Sequence, residues 1–222
     1  MHVKNSIILL TSAGTLFGNA LAERFAQSGA RIILADKDHE RLISVYEQSK
    51  SVSNNIHYFY MDDYKPESIE ALLNFIQVKF NQAPDILINH WPGTPLPSVT
   101  DEHPLEQFTQ NLTDMISTLF SFGQMSAERM RKEDQEGVII NIMSSNDQNG
   151  IQGFESSASM ISGMTQSWSK ELTPFNIRVG AVLPSEKIQD TSSNMSIQLD
   201  ELIRNTEYIV ENEYFSGRTM SA

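Results

Sequence analysis

Ser6-Ile7-Ile8-Leu9-Leu10-Thr11-Ser12-Ala13-Gly14-Thr15-Leu16-Phe17-Gly18 is the stretch that decides the fold of this chain. Four consecutive Ile and Leu residues stand between Ser6 and Thr11, the pattern of a strand buried on both faces rather than on one. A short turn containing Ser and Gly follows. Phe17, Leu21, Phe25 and Ala26 then recur at helical spacing until Gly29 stops them. A doubly buried strand that runs through a small-residue turn into an amphipathic helix implies a parallel sheet with helices on its faces.

The alternation continues outward. Arg31 to Ala35 reads as a second strand, followed by a polar helix from about Asp38 to Lys50. Ile56 to Tyr60 is a third strand, and Pro66 opens the next helix at its first turn. Asp85 to Asn89, after Pro84, is a fourth, followed by a loop with Pro92, Pro95 and Pro97 and a long helix over 105–131. Gly137 to Ile142 is the fifth strand, 153–172 a helix, and Ile177 to Leu183 the sixth strand. A helix near Ile197 to Val210 and a strand stub over 217–222 close the pattern, with no internal repeat and no low-complexity stretch. The expectation is α/β: a single Rossmann-like domain over residues 1–222, its last strand truncated. It is a doubly wound parallel sheet of six or seven strands with helices on both faces. Ligands of such sheets sit at the carboxyl ends of the strands.

The 222 residues are 40% hydrophobic and 20% charged, a globular balance. Sixteen Lys and Arg against 28 Asp and Glu give a net charge of −12, which argues against nucleic acid or an anionic membrane as partner. The absence of cysteine removes disulfides, thiolate catalysis and Cys-based zinc sites. Ile7 to Leu10 is too short for a signal-peptide core or a membrane span, so a cytoplasmic protein is expected. The five histidines, at 2, 39, 57, 90 and 103, lack a chelating spacing, and no metal is expected. Nor is there a Gly-x-Ser-x-Gly elbow or a Walker-type loop. His90 alone falls beside the expected cleft. A lone histidine there is more often a hydrogen-bonded loop residue than a base or a ligand contact.

In order along nearly its whole length, the chain resembles the short-chain dehydrogenase/reductase family. Thr11-Ser12-Ala13-Gly14-Thr15-Leu16-Phe17-Gly18 stands where that family has Thr-Gly-x-x-x-Gly-x-Gly. Asp36 takes the place that holds the adenosine ribose, Asp62 the place beside adenine, and Asn89-His90-Trp91-Pro92 the place of Asn-Asn-Ala-Gly. Asn111 matches the helix asparagine, and Ser144 or Ser145 the active-site serine. Ile177 to Ser185 resembles the strand ending in Pro-Gly, and Tyr214 to Arg218 the closing Tyr-x-Thr-Gly-Gln. The resemblance implies cofactor contacts at Thr11, Gly18, Asp36, Asp62 and Asn89, and catalysis around Asn111 and Ser144.

The departures weigh against that chemistry. Ser12 and Leu16 replace two of the three glycines, and Gly18, which remains, serves close helix–sheet packing. Trp91 replaces the alanine that lies under adenosine, and Pro92 a glycine. Phe154 and Ala158 fall at the family's Tyr and Lys, the pair that moves the proton and tunes its pKa. Phenylalanine has no proton to move, and alanine brings no charge. The expectation is a protein without standard hydride transfer, in which Asn111 and Ser144 are idle leftovers and no cofactor binds. Asp36 would repel a 2′-phosphate, so any dinucleotide would be NAD rather than NADP.

Such a chain would act by binding an unknown small ligand or a protein partner. The competing reading is an atypical enzyme: a residual NAD-dependent oxidoreductase, or cofactor-independent chemistry as in the halohydrin dehalogenases. That branch is similar in its bulky glycine loop, with Phe17 near the aromatic it uses, but this chain lacks its Tyr and Arg. Six of the ten methionines lie from Met115 to Met164. Helices 105–131 and 153–172 correspond to the family's dimer face, so a homo-oligomer through them is expected.

Overall fold

The computed structural model describes residues 2–92, 96–97, 102, 105–144, 154–184 and 192–222, with backbone alone for 154, 192–196 and 198. Strands and helices alternate throughout. They run β1 (Ile7–Thr11), α1 (Leu16–Gln27), β2 (Arg31–Asp36), α2 (His39–Lys50), β3 (Ile56–Tyr60), α3 (Pro66–Phe80) and β4 (Ile86–Trp91). After these come α4 (Leu105–Lys132), β5 (Gly137–Met143), α5 (Phe154–Leu172), β6 (Ile177–Leu183), α6 (Ser192–Glu211) and β7 (Arg218–Ser221). A short 3-10 turn over Thr173–Phe175 joins α5 to β6.

The seven strands form one parallel sheet in the order β3-β2-β1-β4-β5-β6-β7. Successive side chains of a strand point to opposite faces, and each face has its own core. Ile8, Leu10, Ile32 and Ile88 meet Phe17, Leu21 and Phe25 of α1 and Leu202 and Ile209 of α6. Leu9, Ile33, Leu87 and Ile139 meet Leu72 and Ile76 of α3 and Phe122 and Met130 of α4. A third cluster, including Met115, Leu119, Met143, Ile161 and Leu183, closes the carboxyl end of the sheet. Strand order reverses between β1 and β4, so the cleft opens above those two strands, where ligands of such sheets bind.

Two expectations change. The fourth strand continues past Asn89 through His90 and Trp91, because β5 runs alongside as far as Met143 and pairs His90 with Ile142 and Trp91 with Met143. His90 is therefore a sheet residue and not a loop residue. The outer strands are not buried throughout: Tyr58 and Tyr60 of β3 are exposed, since helices cover an edge strand less completely than a central one. β7 pairs with β6 at all four residues.

At the far end of β6, the Arg178 guanidinium donates to the carbonyls of Ile209, Val210, Asn212 and Phe215 at 2.8–3.1 Å. The Ile209 and Val210 carbonyls belong to the last turn of α6, where a helix leaves such groups without partners of its own, and those of Asn212 and Phe215 to the turn beyond it.

Candidate functional site

The turn after β1 is held in an unusual shape. Ser12 has φ 47°, the left-handed region that side chains with a Cβ rarely enter. From there the chain drops onto the end of β2. Ala13 N–H donates to Ala35 O at 3.2 Å, and Gly14 N–H to an Asp36 carboxylate oxygen at 2.7 Å. The other Asp36 oxygen accepts Asp38 N–H at 2.9 Å. A Cβ on Gly14 would lie 2.9 Å from Arg41 Cβ and 3.1 Å from Asp36, so this close approach requires glycine. Thr15 caps α1 by accepting Gly18 N–H at 2.9 Å. At Gly18 a Cβ would stand 2.2 Å from Ala13 O, so the close approach that requires glycine is between α1 and the turn backbone after β1. Leu16, first in α1, is 74% exposed.

Beside the turn lies a buried polar pair. His90 Nε2 is 2.7 Å from Ser144 Oγ, and His90 Nδ1 is 3.2 Å from the Ser12 carbonyl oxygen. Both residues are buried. The His90 backbone N–H donates to Thr11 Oγ1 at 2.9 Å, and the Phe17 ring stands edge-on to the imidazole at 4.9 Å. Burial pulls the imidazole pKa down to about 4, against the opposing pull of the Ser12 carbonyl.

A second buried chain runs through the sheet. Asn89 Nδ2 donates to Leu119 O at 2.8 Å and to Asn141 Oδ1 at 3.1 Å, and Asn141 Nδ2 donates to Thr165 Oγ1 at 3.1 Å. These bonds tie Asn89 to α4 and, through Asn141, to α5. The buried Asn89 Oδ1 and Ser157 Oγ have no hydrogen-bond partner.

The open cleft measures about 390 Å³ and is lined by Asp36, Lys37, Tyr64, Trp91, Pro92 and Asn111, among others. Tyr64 supplies its phenol. Burial first, and the Asp36 charge second, push that phenol up to about 12. Trp91 is half-buried and packs on the third cluster. Asn111 is half-buried on α4, and Asp62 is exposed beyond the end of β3. Phe154 is the first residue of α5. Ala158 is half-buried among apolar side chains of the third cluster. α5 contains no tyrosine, and its one lysine is Lys170. At 1.5 Å per residue, Lys170 stands roughly 24 Å along the axis from Phe154. Ser145 lies outside the described residues.

The structure thus joins two residues that the sequence named separately. His90 and Ser144 are 54 positions apart, and only the β4–β5 register signals their contact. Among the described residues no three His, Asp or Glu side chains group as a metal site requires. No helix among them is long and apolar enough to cross a membrane.

A known family matches most of the chain: the model of the short chain dehydrogenases aligns with residues 6–201. This chain belongs to the short-chain dehydrogenase family. It is similar to a 3alpha-hydroxysteroid dehydrogenase of Mediterraneibacter gnavus, 30% identical over 190 residues, covering 83% of this chain and 74% of that one. It is also similar to a 3-oxoacyl-[acyl-carrier-protein] reductase of Thermotoga maritima, 26% identical over 187 residues, covering 83% and 75%. Among solved structures, a short-chain type dehydrogenase/reductase from Mycobacterium marinum superposes with a TM-score of 0.82 at 18% identity, covering 99% and 94%. The 3-ketoacyl-(acyl-carrier-protein) reductase of Brucella melitensis, solved with NADH, gives 0.81 at 20%, covering 99% and 97%. These structures agree with the seven-stranded parallel sheet and the helices flanking it. In this chain Gly18 lies against the Ala13 backbone, Asp36 accepts the Gly14 N–H, and Asn89 is buried within the sheet.

Proposed function

We propose that this family member has given up nicotinamide hydride transfer and works by what its narrowed cleft binds. The observation that carries the reading is the composition of α5. The helix that should bring a phenol and an ammonium to the cleft begins with Phe154, has Ala158 one turn later, and holds its one lysine at the opposite end. Loss of a positioned acid–base group costs about 10²–10⁴-fold. Tyr64, the phenol that does line the cleft, is a poor replacement, because a pKa near 12 makes it reluctant to ionise.

Three residues argue against a dinucleotide. The side chain of Leu16 projects at the α1 N-terminus, where a pyrophosphate would need backbone N–H groups and room. Trp91 and Pro92 line the cleft, and in the family resemblance they stand in place of a small alanine and a glycine on the adenosine side. The remaining volume suits a smaller ligand. Asp36 would disfavour a 2′-phosphate, so any residual binding should prefer NAD. Calorimetric titration with NADH tests the reading: no binding at micromolar concentrations is expected, and micromolar affinity would overturn it. The double variant Phe154→Tyr with Ala158→Lys should still show no reductase activity toward a simple ketone, because Leu16 and Trp91 remain.

The same reading includes a homodimer or tetramer built on α4 and α5. A groove of about 660 Å³ between these helices is lined by Phe120, Trp168 and Phe175, and Phe120 and Phe175 are partly exposed there. A second reading, chemistry without a cofactor, is favoured by one observation, the contact of His90 with Ser144.

A further inference from the structure

We propose that Ser144 is a nucleophile toward activated esters, with His90 as its general base. This rests on the reading that the cleft has left hydride transfer. The geometry identifies each role. The Ser12 carbonyl oxygen can only accept, so the proton of the neutral imidazole sits on Nδ1, and Nε2 turns a lone pair toward Ser144 Oγ at 2.7 Å. Ser144 therefore donates its hydroxyl proton to a base that a third group holds in the required tautomer. That is the arrangement of an activated nucleophile. The ring is fixed from other sides as well, by Phe17 at 4.9 Å and through the His90 N–H bonded to Thr11. Ser144 follows the last residue of β5, at the carboxyl end of the sheet, and its hydrogen-bonded partner His90 reaches the Ser12 carbonyl in the turn that lines the cleft.

The reaction balances with water as the second reactant. Ser144 Oγ bonds to the carbonyl carbon of the ester while its proton passes to His90 Nε2. The bond from that carbon to the leaving oxygen breaks, and the electron pair departs on the oxygen, which takes up the proton from Nε2. A water molecule, deprotonated by the same nitrogen, then attacks the acyl-serine, releasing the carboxylic acid and restoring the hydroxyl.

Two features restrict the substrate class. The acceptor on Nδ1 is a neutral carbonyl rather than a carboxylate, so the imidazolium that forms is weakly stabilised. Ser144 N–H is already given to the Trp91 carbonyl at 3.2 Å and does not serve a developing oxyanion. Loss of one such donor costs about 10²–10³-fold. Good leaving groups are therefore needed: aryl esters react, whereas amides and alkyl esters do not. The acyl-serine is itself an alkyl ester, so it accumulates.

The probe is p-nitrophenyl acetate. The expected result is a burst of up to one p-nitrophenolate per chain, with the acetyl group mapped by mass spectrometry to Ser144. Ser144→Ala should abolish the burst, and His90→Gln should slow it ~100-fold or more. Should His90→Gln fail to fold by circular dichroism, the wild-type burst in deuterium oxide replaces it, and a slower burst is expected from proton transfer to His90. Acetylation confined to lysines or the amino terminus would overturn the proposal, as would a burst unchanged in His90→Gln or in deuterium oxide. The NADH titration is read separately. Dinucleotide binding together with a labelled Ser144 refutes only the functional reading, and an unlabelled Ser144 without NADH binding refutes only this one.

Discussion

Lowering the pH from 7 to 5 should destabilise this protein by about 2 kcal/mol through His90 alone. The folded pKa of this imidazole lies near 4, below its ordinary value of 6.5, because the ring is buried. Between those two values the unfolded chain binds the proton and the native one does not. The contribution is therefore fully present above pH 6.5 and is lost as the pH falls toward 4. At pH 5 the unfolded group is 1.5 pH units below its pKa, and about 1.36 kcal/mol per unit gives the figure of about 2. The loss levels off near 3 kcal/mol below pH 4, a large share of the ~5–15 kcal/mol by which domains are stable. The assay is urea unfolding at pH 7 and pH 5, followed by the fluorescence of Trp91 and Trp168, on wild type and His90→Gln. The variant should be weaker at pH 7 from lost packing and hydrogen bonds, yet lose about 2 kcal/mol less on acidification. His57, whose pKa burial also lowers, and Asp85, whose pKa burial raises, are present in both proteins and cancel in the comparison. Equal losses in the two proteins would refute the reasoning, as would a His90 ring that titrates near 6.5 by NMR.

Gly18→Ala should lower stability by about 1–3 kcal/mol or more, because its Cβ would meet the Ala13 carbonyl at 2.2 Å and α1 must then shift against the turn that precedes it. An unchanged urea midpoint would contradict this. Phe120→Asp places a charge in the groove against Trp168, 6.1 Å away ring to ring. It should convert the expected dimer or tetramer to a monomer by light scattering, and a wild-type monomer at tens of micromolar would remove the α4–α5 pairing altogether.

The sheet was legible in the sequence where single residues force it. The run Ile7 to Leu10 has no polar face to show to water, and the structure covers it on both sides. Gly18 was legible for a similar reason, since only a missing Cβ permits the approach it makes. The length of β4 was not. Hydropathy breaks at Asn89, but the strand continues for as long as its neighbour offers carbonyls and N–H groups, and that is a property of β5. The candidate site divides along the same line. Asp36 could be read from its place at a strand end, whereas its bond to Gly14 depends on a left-handed Ser12 that nothing in the sequence requires. His90 and Ser144 were both in view as single residues, and their contact became visible only with the register.

Arg178 gives the carboxyl-terminal part of the chain a common fate. Its guanidinium belongs to β6, but the four carbonyls it holds are the last of α6 and the turn that leads to β7. Withdrawing that one side chain releases the end of the helix and the approach to the edge strand at the same moment, so neither opens without the other. In hydrogen exchange, the amides from the last turn of α6 through β7 should therefore open as one cooperative unit, at a free energy below that of the central strands. The sheet would lose its outermost strand in one event before it lost its middle.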